Sequence, residues 1–157
     1  MPSEAAGRGG NEDAPGLGLI VHSGDFARVH YALVMASAAA AIDRPVTLFF
    51  TMAGLRAILR SGSDGTAGWL HLPGGSDDSP AATGAEVDAR YRAGGVAGFE
   101  ELLNACVSFG VRFLACEMGL KAAGLDRGML RADLPIEQGG VVTLLAAVGR
   151  NGALLMV

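Results

Sequence analysis

The chain is poor in the residues that mark several classes of protein. Its 157 residues include two cysteines, one tryptophan and three histidines. The cysteines, Cys106 and Cys116, are spaced too widely for a CxxC redox motif or a zinc knuckle. The histidines show no metal spacing such as HExxH. We therefore expect no cofactor and no metal. With no export signal at the amino terminus, we expect a reduced, cytoplasmic protein without a structural disulfide.

Basic charge and long apolar runs are also scarce. Twelve Lys and Arg residues are scattered among 16 Asp and Glu residues, for a net charge of −4. Nucleic acid and anionic membranes are therefore poor candidate partners. The longest apolar stretch, residues 29–42, is shorter than the roughly 20 residues that a membrane-spanning helix needs. We predict a disordered leader over residues 1–15 and a single domain over residues 16–157.

Apolar strand patterns alternate with helical patterns along this domain. The predicted strands are 16–22, 46–51, 111–115, 130–134 and 153–157. The predicted helices are 26–42, 54–60, 99–109, 117–123 and 141–148. This alternation predicts an α/β fold, a three-layer sandwich with a central, mostly parallel five-stranded sheet.

Residues 61–95 interrupt this alternation with a stretch rich in Gly, Ser, Asp and Pro. Its few apolar residues are grouped around Trp69. We expect a mobile insertion, most mobile over residues 73–84, that lies near the carboxyl edge of the sheet. A lid over Cys116, a docking loop and a passive surface excursion all remain open as its role.

Cys116 is the strongest candidate for chemistry. It stands where the predicted strand 111–115 meets the predicted helix 117–123. A thiol at such a junction lies beside free backbone N–H groups and the positive end of a helix dipole, both of which favour the thiolate. In a parallel α/β sheet, ligands bind at this edge. The alternative is a buried structural cysteine, as we expect for Cys106 on the apolar face of its helix.

Other residues could assist at the same edge. His22, at the end of the first strand, could reach Cys116 and assist proton transfer, although a hydrogen-bonded polar residue is the alternative. Glu117 is a possible auxiliary group, but its carboxylate next to the thiol opposes thiolate formation. Ser23 and Gly24 could bind an anion through backbone N–H groups. A plain turn that caps the next helix is the alternative there.

Two sequence blocks resemble the DsrE/DsrF-like family, and are closest to its DsrE-like subgroup that is often labelled "peroxiredoxin family". One is Phe-Leu-Ala-Cys-Glu-Met-Gly-Leu at 113–120, followed by Gly-Gly-Val-Val-Thr at 139–143. The other is Phe-Phe-Thr-Met-Ala-Gly-Leu at 49–55. The resemblance implies an α/β sandwich that assembles into dimers, trimers or hexamers. In relatives that act in sulfur trafficking, the cysteine at the position of Cys116 carries sulfur as a persulfide.

Two functions of different classes follow. The first is a sulfur carrier or sulfurtransferase-like protein that holds sulfur on Cys116 and passes it to an acceptor thiol, with sulfur donor and acceptor proteins as partners. The alternative is a non-catalytic module that binds a small anion or a protein. We also expect a homo-oligomer, because the helices at 26–42 and 141–148 are more apolar than so small a domain can cover by itself.

Overall fold

The computed structural model describes residues 14–60, 62–63 and 66–157. Most of the predicted leader, and residues 61, 64 and 65 of the predicted insertion, therefore lie outside the described residues.

Five strands among the described residues form a single sheet in which every pair of neighbours is parallel. They are β1 (Leu17–Val21), β2 (Val46–Phe50), β3 (Arg112–Cys116), β4 (Ile136–Gly139) and β5 (Ala153–Met156). Their order across the sheet is β4-β3-β2-β1-β5. All five residues of β2 are buried, as expected for a central strand that is covered on both faces. The predicted fold class is confirmed.

In the part of the chain that the structure describes, five α-helices and three 3₁₀ segments surround the sheet. The α-helices are α1 (Phe26–Ala41), α2 (Gly84–Ala93), α3 (Phe99–Ser108), α4 (Glu117–Ala123) and α5 (Val141–Val148). The 3₁₀ segments are Met52–Ile58, Gly68–His71 and Arg127–Met129. The predictions for α1, α3, α4 and α5 are confirmed to within one residue at each end. The predicted helix 54–60 is a 3₁₀ helix that begins two residues earlier.

The two faces of the sheet are covered unequally. The larger core joins Leu19 and Leu48 of the sheet to Phe26 of α1 and Leu103 of α3. The smaller core joins the opposite face of the sheet to α5; its buried members are Phe49, Leu114, Cys116, Leu144 and Val148. Since α5 has eight residues, one face of the sheet is covered far more thinly than the other.

The predicted fourth strand, 130–134, is wrong. Leu130 forms an isolated antiparallel bridge with Leu59, and the fourth strand begins after Pro135. Arg131 donates hydrogen bonds to Glu100 and Asp133, so the segment is tied to the start of α3. Leu130 and Leu134 are buried because they cover the larger core rather than because they lie in the sheet.

The sequence pattern does not predict helix α2, which lies inside the expected mobile insertion at 61–95. Its signal is a capping box: the Thr83 side chain accepts the Glu86 N–H, and the Glu86 carboxylate accepts the Thr83 N–H. Within the same segment, Trp69 stacks on Phe99 with ring centroids 4.7 Å apart, and its indole N–H donates to Glu100. This part of the segment packs on the larger core, whereas Cys116 lies in the smaller one. The mobility of the segment stays a prediction.

Among the residues that the structure describes, no helix has the length and hydropathy needed to cross a membrane.

Asp88 provides a test of this packing. The residue is buried, and its carboxylate accepts hydrogen bonds from the Phe99 N–H (2.7 Å) and Arg92 Nε (2.9 Å). Asp88→Ala leaves the buried N–H at the start of α3 without its acceptor, so we expect a loss of about 1–3 kcal/mol in the free energy of unfolding. Urea unfolding measures it. Asp77→Ala, at an exposed position, is the control and should change the free energy by less than about 0.5 kcal/mol.

Candidate active site around Cys116

Cys116 is both the last residue of β3 and the N-cap of α4. Its Sγ accepts a hydrogen bond from the Gly119 N–H at 3.4 Å. The first turn of a helix has backbone donors without intrahelical partners, and the thiol here takes the place that a Ser or Asp oxygen usually fills. The sulfur therefore lies at the positive end of the helix dipole, with a hydrogen-bond donor directed at it.

Gly119 holds this donor in place by close packing. A Cβ at Gly119 would lie 2.7 Å from Thr51 Oγ1 and 2.9 Å from the Met52 backbone N, which is too close for any side chain. Thr51 and Met52 follow directly after β2, the neighbour of β3, and Met52 has a φ of 48°. A non-glycine residue in this left-handed region is strained, and such residues are found near functional sites. The turn after β2 thus fixes the first turn of α4.

A second helix begins beside the sulfur. Cys116 is paired in register with Gly139, the last residue of β4, and Gly140 is the N-cap of α5. Neighbouring strands lie about 4.8 Å apart, so the first turn of α5 starts close to Cys116. Two helix N-termini therefore approach the same edge of the sheet, and both stabilise negative charge there.

The sulfur-bearing residue is nearly enclosed. Cys116 is 5% exposed and packs in the smaller core beside Leu144 of α5. The residues that follow it on α4, Glu117 and Met118, are exposed, and Met118 is 72% exposed. Cys116 is thus followed directly by an exposed negative charge, Glu117, and an exposed apolar side chain, Met118.

The other predicted site residues lie farther from Cys116. His22 follows β1, and β2 lies between β1 and β3, so the two residues are about two strand spacings, or roughly 10 Å, apart. Among the described residues, the hydrogen bond to the Cys116 sulfur comes from the Gly119 N–H, and none joins it to the exposed His22 side chain. A role for His22 in proton transfer stays a prediction.

Four backbone donors in and after the turn at Ser23 and Gly24 are used internally. The Ser23 N–H donates to Val157 O, and the Asp25 N–H donates to Ser23 Oγ. The Phe26 and Ala27 N–H groups, at the start of α1, donate to carbonyls of Pro73 and Gly74. The protein's own oxygens thus occupy these four donors, which favours the plain turn. Anion binding there stays a prediction.

Cys106 lies in a different environment. It is fully buried on α3, and its Sγ–H donates to the Leu33 carbonyl at 3.7 Å. Burial raises the pKa of the Cys106 thiol to about 12. At neutral pH this side chain remains a protonated thiol that packs like an apolar residue.

Sequence reasoning missed Thr51, Met52, Gly119 and Gly139 as supports of the site. Each lies within the two sequence blocks that carry the family resemblance, so those blocks were the available signal. Their role is visible only in three dimensions, because Thr51 and Gly119 are distant in the chain and meet through the pairing of β2 with β3.

The two cysteines should differ sharply in reactivity. With iodoacetamide at pH 8, we expect one adduct, on Cys116, because the pKa of about 12 leaves Cys106 almost entirely protonated. Peptide mass spectrometry locates the adduct. Cys106→Ser should keep it and Cys116→Ser should lose it; preferential labelling of Cys106 in the folded protein would contradict the assignment.

Gly119→Ala should damage the site and the fold together. The new Cβ collides with the Thr51–Met52 turn, so we expect a loss of about 1–3 kcal/mol in the free energy of unfolding, typical of overpacking. Displacement of the Gly119 N–H from the sulfur should also slow alkylation of Cys116. Gly94→Ala is the matched control, because a Cβ there meets its nearest atom at an ordinary 3.5 Å. Equal stability and equal alkylation rates in the two variants would show that Gly119 has no such role.

Comparison with known proteins agrees with this architecture. A protein of unknown function, MTH1491 from Methanobacterium thermoautotrophicum, has a similar fold, with a TM-score of 0.55 and 15% sequence identity. The similarity covers 90% of this chain and 97% of that chain. At this identity it shows the fold alone. No curated protein matches the chain. The model of the DsrE/DsrF-like family matches residues 18–156, nearly the whole described domain. The chain therefore belongs to the DsrE/DsrF-like family.

Proposed function

We propose that this protein is a sulfur carrier that holds sulfur as a persulfide on Cys116. The observation that carries the proposal is the position of Sγ as the N-cap of α4, where it accepts the Gly119 N–H. Membership of a family with sulfur-trafficking members supports the same chemistry. Both cysteines are free thiols, and we place the reaction in the reducing environment of the cytoplasm.

The proposed reaction is a pair of sulfur transfers without net oxidation. The Cys116 thiolate attacks the outer sulfur of a donor persulfide, R–S–SH. A new S–S bond forms on Cys116, the donor S–S bond breaks, and the donor leaves as a thiolate. An acceptor thiolate then attacks the outer sulfur of Cys116–S–SH. Cys116 leaves as a thiolate and is ready for another cycle.

The site offers stabilisation at each stage of this cycle. Cys116 is an anion before it is loaded and again when it leaves, and the N–H of Gly119 is directed at its sulfur. The adjacent start of α5 adds a second set of backbone dipoles near the outer sulfur. Glu117 opposes this effect from its exposed position, because a nearby carboxylate disfavours a second negative charge. Burial of Cys116 limits the access of water and small oxidants to the persulfide.

The alternative is a non-catalytic module that binds a small anion or a protein. The observation in its favour is the 5% exposure of Cys116, since a buried thiol that caps a helix can be purely structural. The two functions differ in whether Cys116 reacts with a persulfide.

Intact-mass spectrometry after incubation with a persulfide donor tests the proposal. We expect wild type and Cys106→Ser to gain the mass of one sulfur atom, and Cys116→Ser to gain none. Addition of an acceptor thiol should then remove the sulfur from the loaded protein.

The same experiment separates the alternatives. Wild-type protein that is folded by circular dichroism but gains no sulfur would favour the binding module. Sulfur on Cys106 instead of Cys116 would contradict the proposed carrier residue.

A further inference from the structure

A cavity of about 500 Å³ lies beside the edge strand β4. Its main lining residues are Arg127, Leu130, Arg131, Leu134, Ile136 and Gln138. Ile136 and Gln138 are two residues apart, so they share one face of β4, and Ile136 packs against the larger core. The Cys116 side chain lies in the smaller core. The cavity is therefore on the opposite face of the sheet from the reactive sulfur.

The walls of this cavity are open and fixed in place. Gly128 and Ala132 also border it, and neither has a side chain large enough to fill it. Leu130, which is buried, is held by its antiparallel bridge to Leu59. The volume falls within the roughly 300–1,000 Å³ of small-molecule sites, and a wall that is already ordered lowers the entropic cost of binding.

Arg131 contributes a fixed donor to the cavity but no net charge. Its backbone N–H donates to the Ile58 carbonyl at 3.0 Å. Its guanidinium group donates from Nε and Nη2 to Asp133 and from Nη1 and Nη2 to Glu100. A guanidinium group has five N–H bonds, so these four contacts leave one of them without an acceptor. The two carboxylates offset the positive charge of Arg131.

Arg127 contributes the positive charge that is not offset. Its side chain is exposed at the cavity, and no carboxylate among the described residues pairs with it. The exposed side-chain amide of Gln138 likewise makes no hydrogen bond within the described part of the chain. The free polar groups that border the cavity are therefore mainly donors, and an arginine with neighbouring N–H groups is suited to a planar carboxylate.

The nearby charges favour a ligand with one negative charge. Asp126 directly precedes Arg127, and Glu100 and Asp133 are paired with Arg131. A single carboxylate would offset the charge of Arg127, whereas a second negative charge on the ligand would meet these three side chains without a free cation to balance it. The apolar lining residues, Leu130, Leu134 and Ile136, would contact an apolar body attached to the carboxylate.

We propose that the cavity beside β4 binds a small monocarboxylate with an apolar body. The carboxylate oxygens accept hydrogen bonds from Arg127, from the Gln138 amide and from the remaining N–H of Arg131. The apolar body packs against Leu134 and Ile136. Binding makes and breaks no covalent bond, and it does not depend on the sulfur chemistry proposed above.

Trp69 provides a natural reporter for this site. It is the only tryptophan of the chain. Its indole N–H donates at 2.7 Å to Glu100 Oε1, the same oxygen that accepts from Arg131. A ligand that hydrogen-bonds to Arg131 therefore alters the polar contact of the tryptophan ring.

Titration of the full chain with hexanoate tests the proposal. We expect a saturable change in Trp69 fluorescence, together with NMR shifts of backbone amides that are concentrated in residues 127–138. Hexanol and protonated hexylamine have the same apolar body without the negative charge, and acetate has the charge without the body. Each of these three compounds should bind at least about tenfold more weakly than hexanoate.

Three variants locate the site. Arg127→Gln removes the unpaired charge and should weaken hexanoate binding about tenfold. Ala132→Phe places a ring in the cavity and should abolish saturable binding. The matched control Arg28→Gln removes the same charge from an exposed position of α1 and should keep the wild-type affinity. All three positions are exposed, and circular dichroism confirms that each variant is folded.

Several results would overturn the proposal. They are the absence of saturable binding, NMR shifts that cluster on α5 or β5 instead of residues 127–138, equal binding of hexanol or hexylamine, and wild-type affinity in Arg127→Gln. Persulfide loading of Cys116, measured separately on the same variants, should match wild type. A failure of the carboxylate site is thereby distinguished from a failure of the sulfur-carrier proposal.

Discussion

The contact between the turn after β2 and the first turn of α4 is the constraint on which the site depends. Gly119 has no side chain, so Thr51 and Met52 approach its backbone closely, and its N–H is directed at the sulfur of Cys116. Because β2 and β3 are parallel neighbours, their carboxyl ends lie together and bring the turn and the helix into contact. The sulfur is thereby placed at the edge of the sheet where parallel α/β proteins bind ligands.

The unequal covering of the sheet makes the surroundings of Cys116 depend on one short helix. One face packs against α1, α3 and the 3₁₀ segment Gly68–His71, which carries Trp69, and forms the larger core. The other face relies on α5, whose inner side is buried and whose outer side is exposed and uncharged. The same short helix therefore encloses Cys116 and presents apolar surface to solvent.

The contrast between the two cysteines shows how location decides chemistry. Cys106 and Cys116 are both buried and both make a hydrogen bond through sulfur. Cys106 donates to a carbonyl in the larger core, a contact that stabilises the protonated thiol. Cys116 accepts from a backbone N–H, a contact that stabilises negative charge. Burial, which raises the pKa of the Cys106 thiol, and the direction of the sulfur hydrogen bond together distinguish the structural cysteine from the candidate carrier.

The sequence by itself determined the parallel sheet, four of the five helices and the strand–Cys–helix junction, because hydrophobic periodicity, caps and glycines act over short distances along the chain. The strand prediction failed at residues 130–134. There Leu130 bridges to Leu59 and Arg131 pairs with Glu100, so the segment packs beside the sheet and is not a strand of it. Sequence reasoning also proposed His22 as a partner for Cys116, since strand ends were visible but strand order was not. Only the tertiary structure decided that β2 separates β1 from β3, that Gly119 meets Thr51, and that α5 is left partly uncovered. These features arise from contacts between residues distant in the chain, which no local pattern encodes.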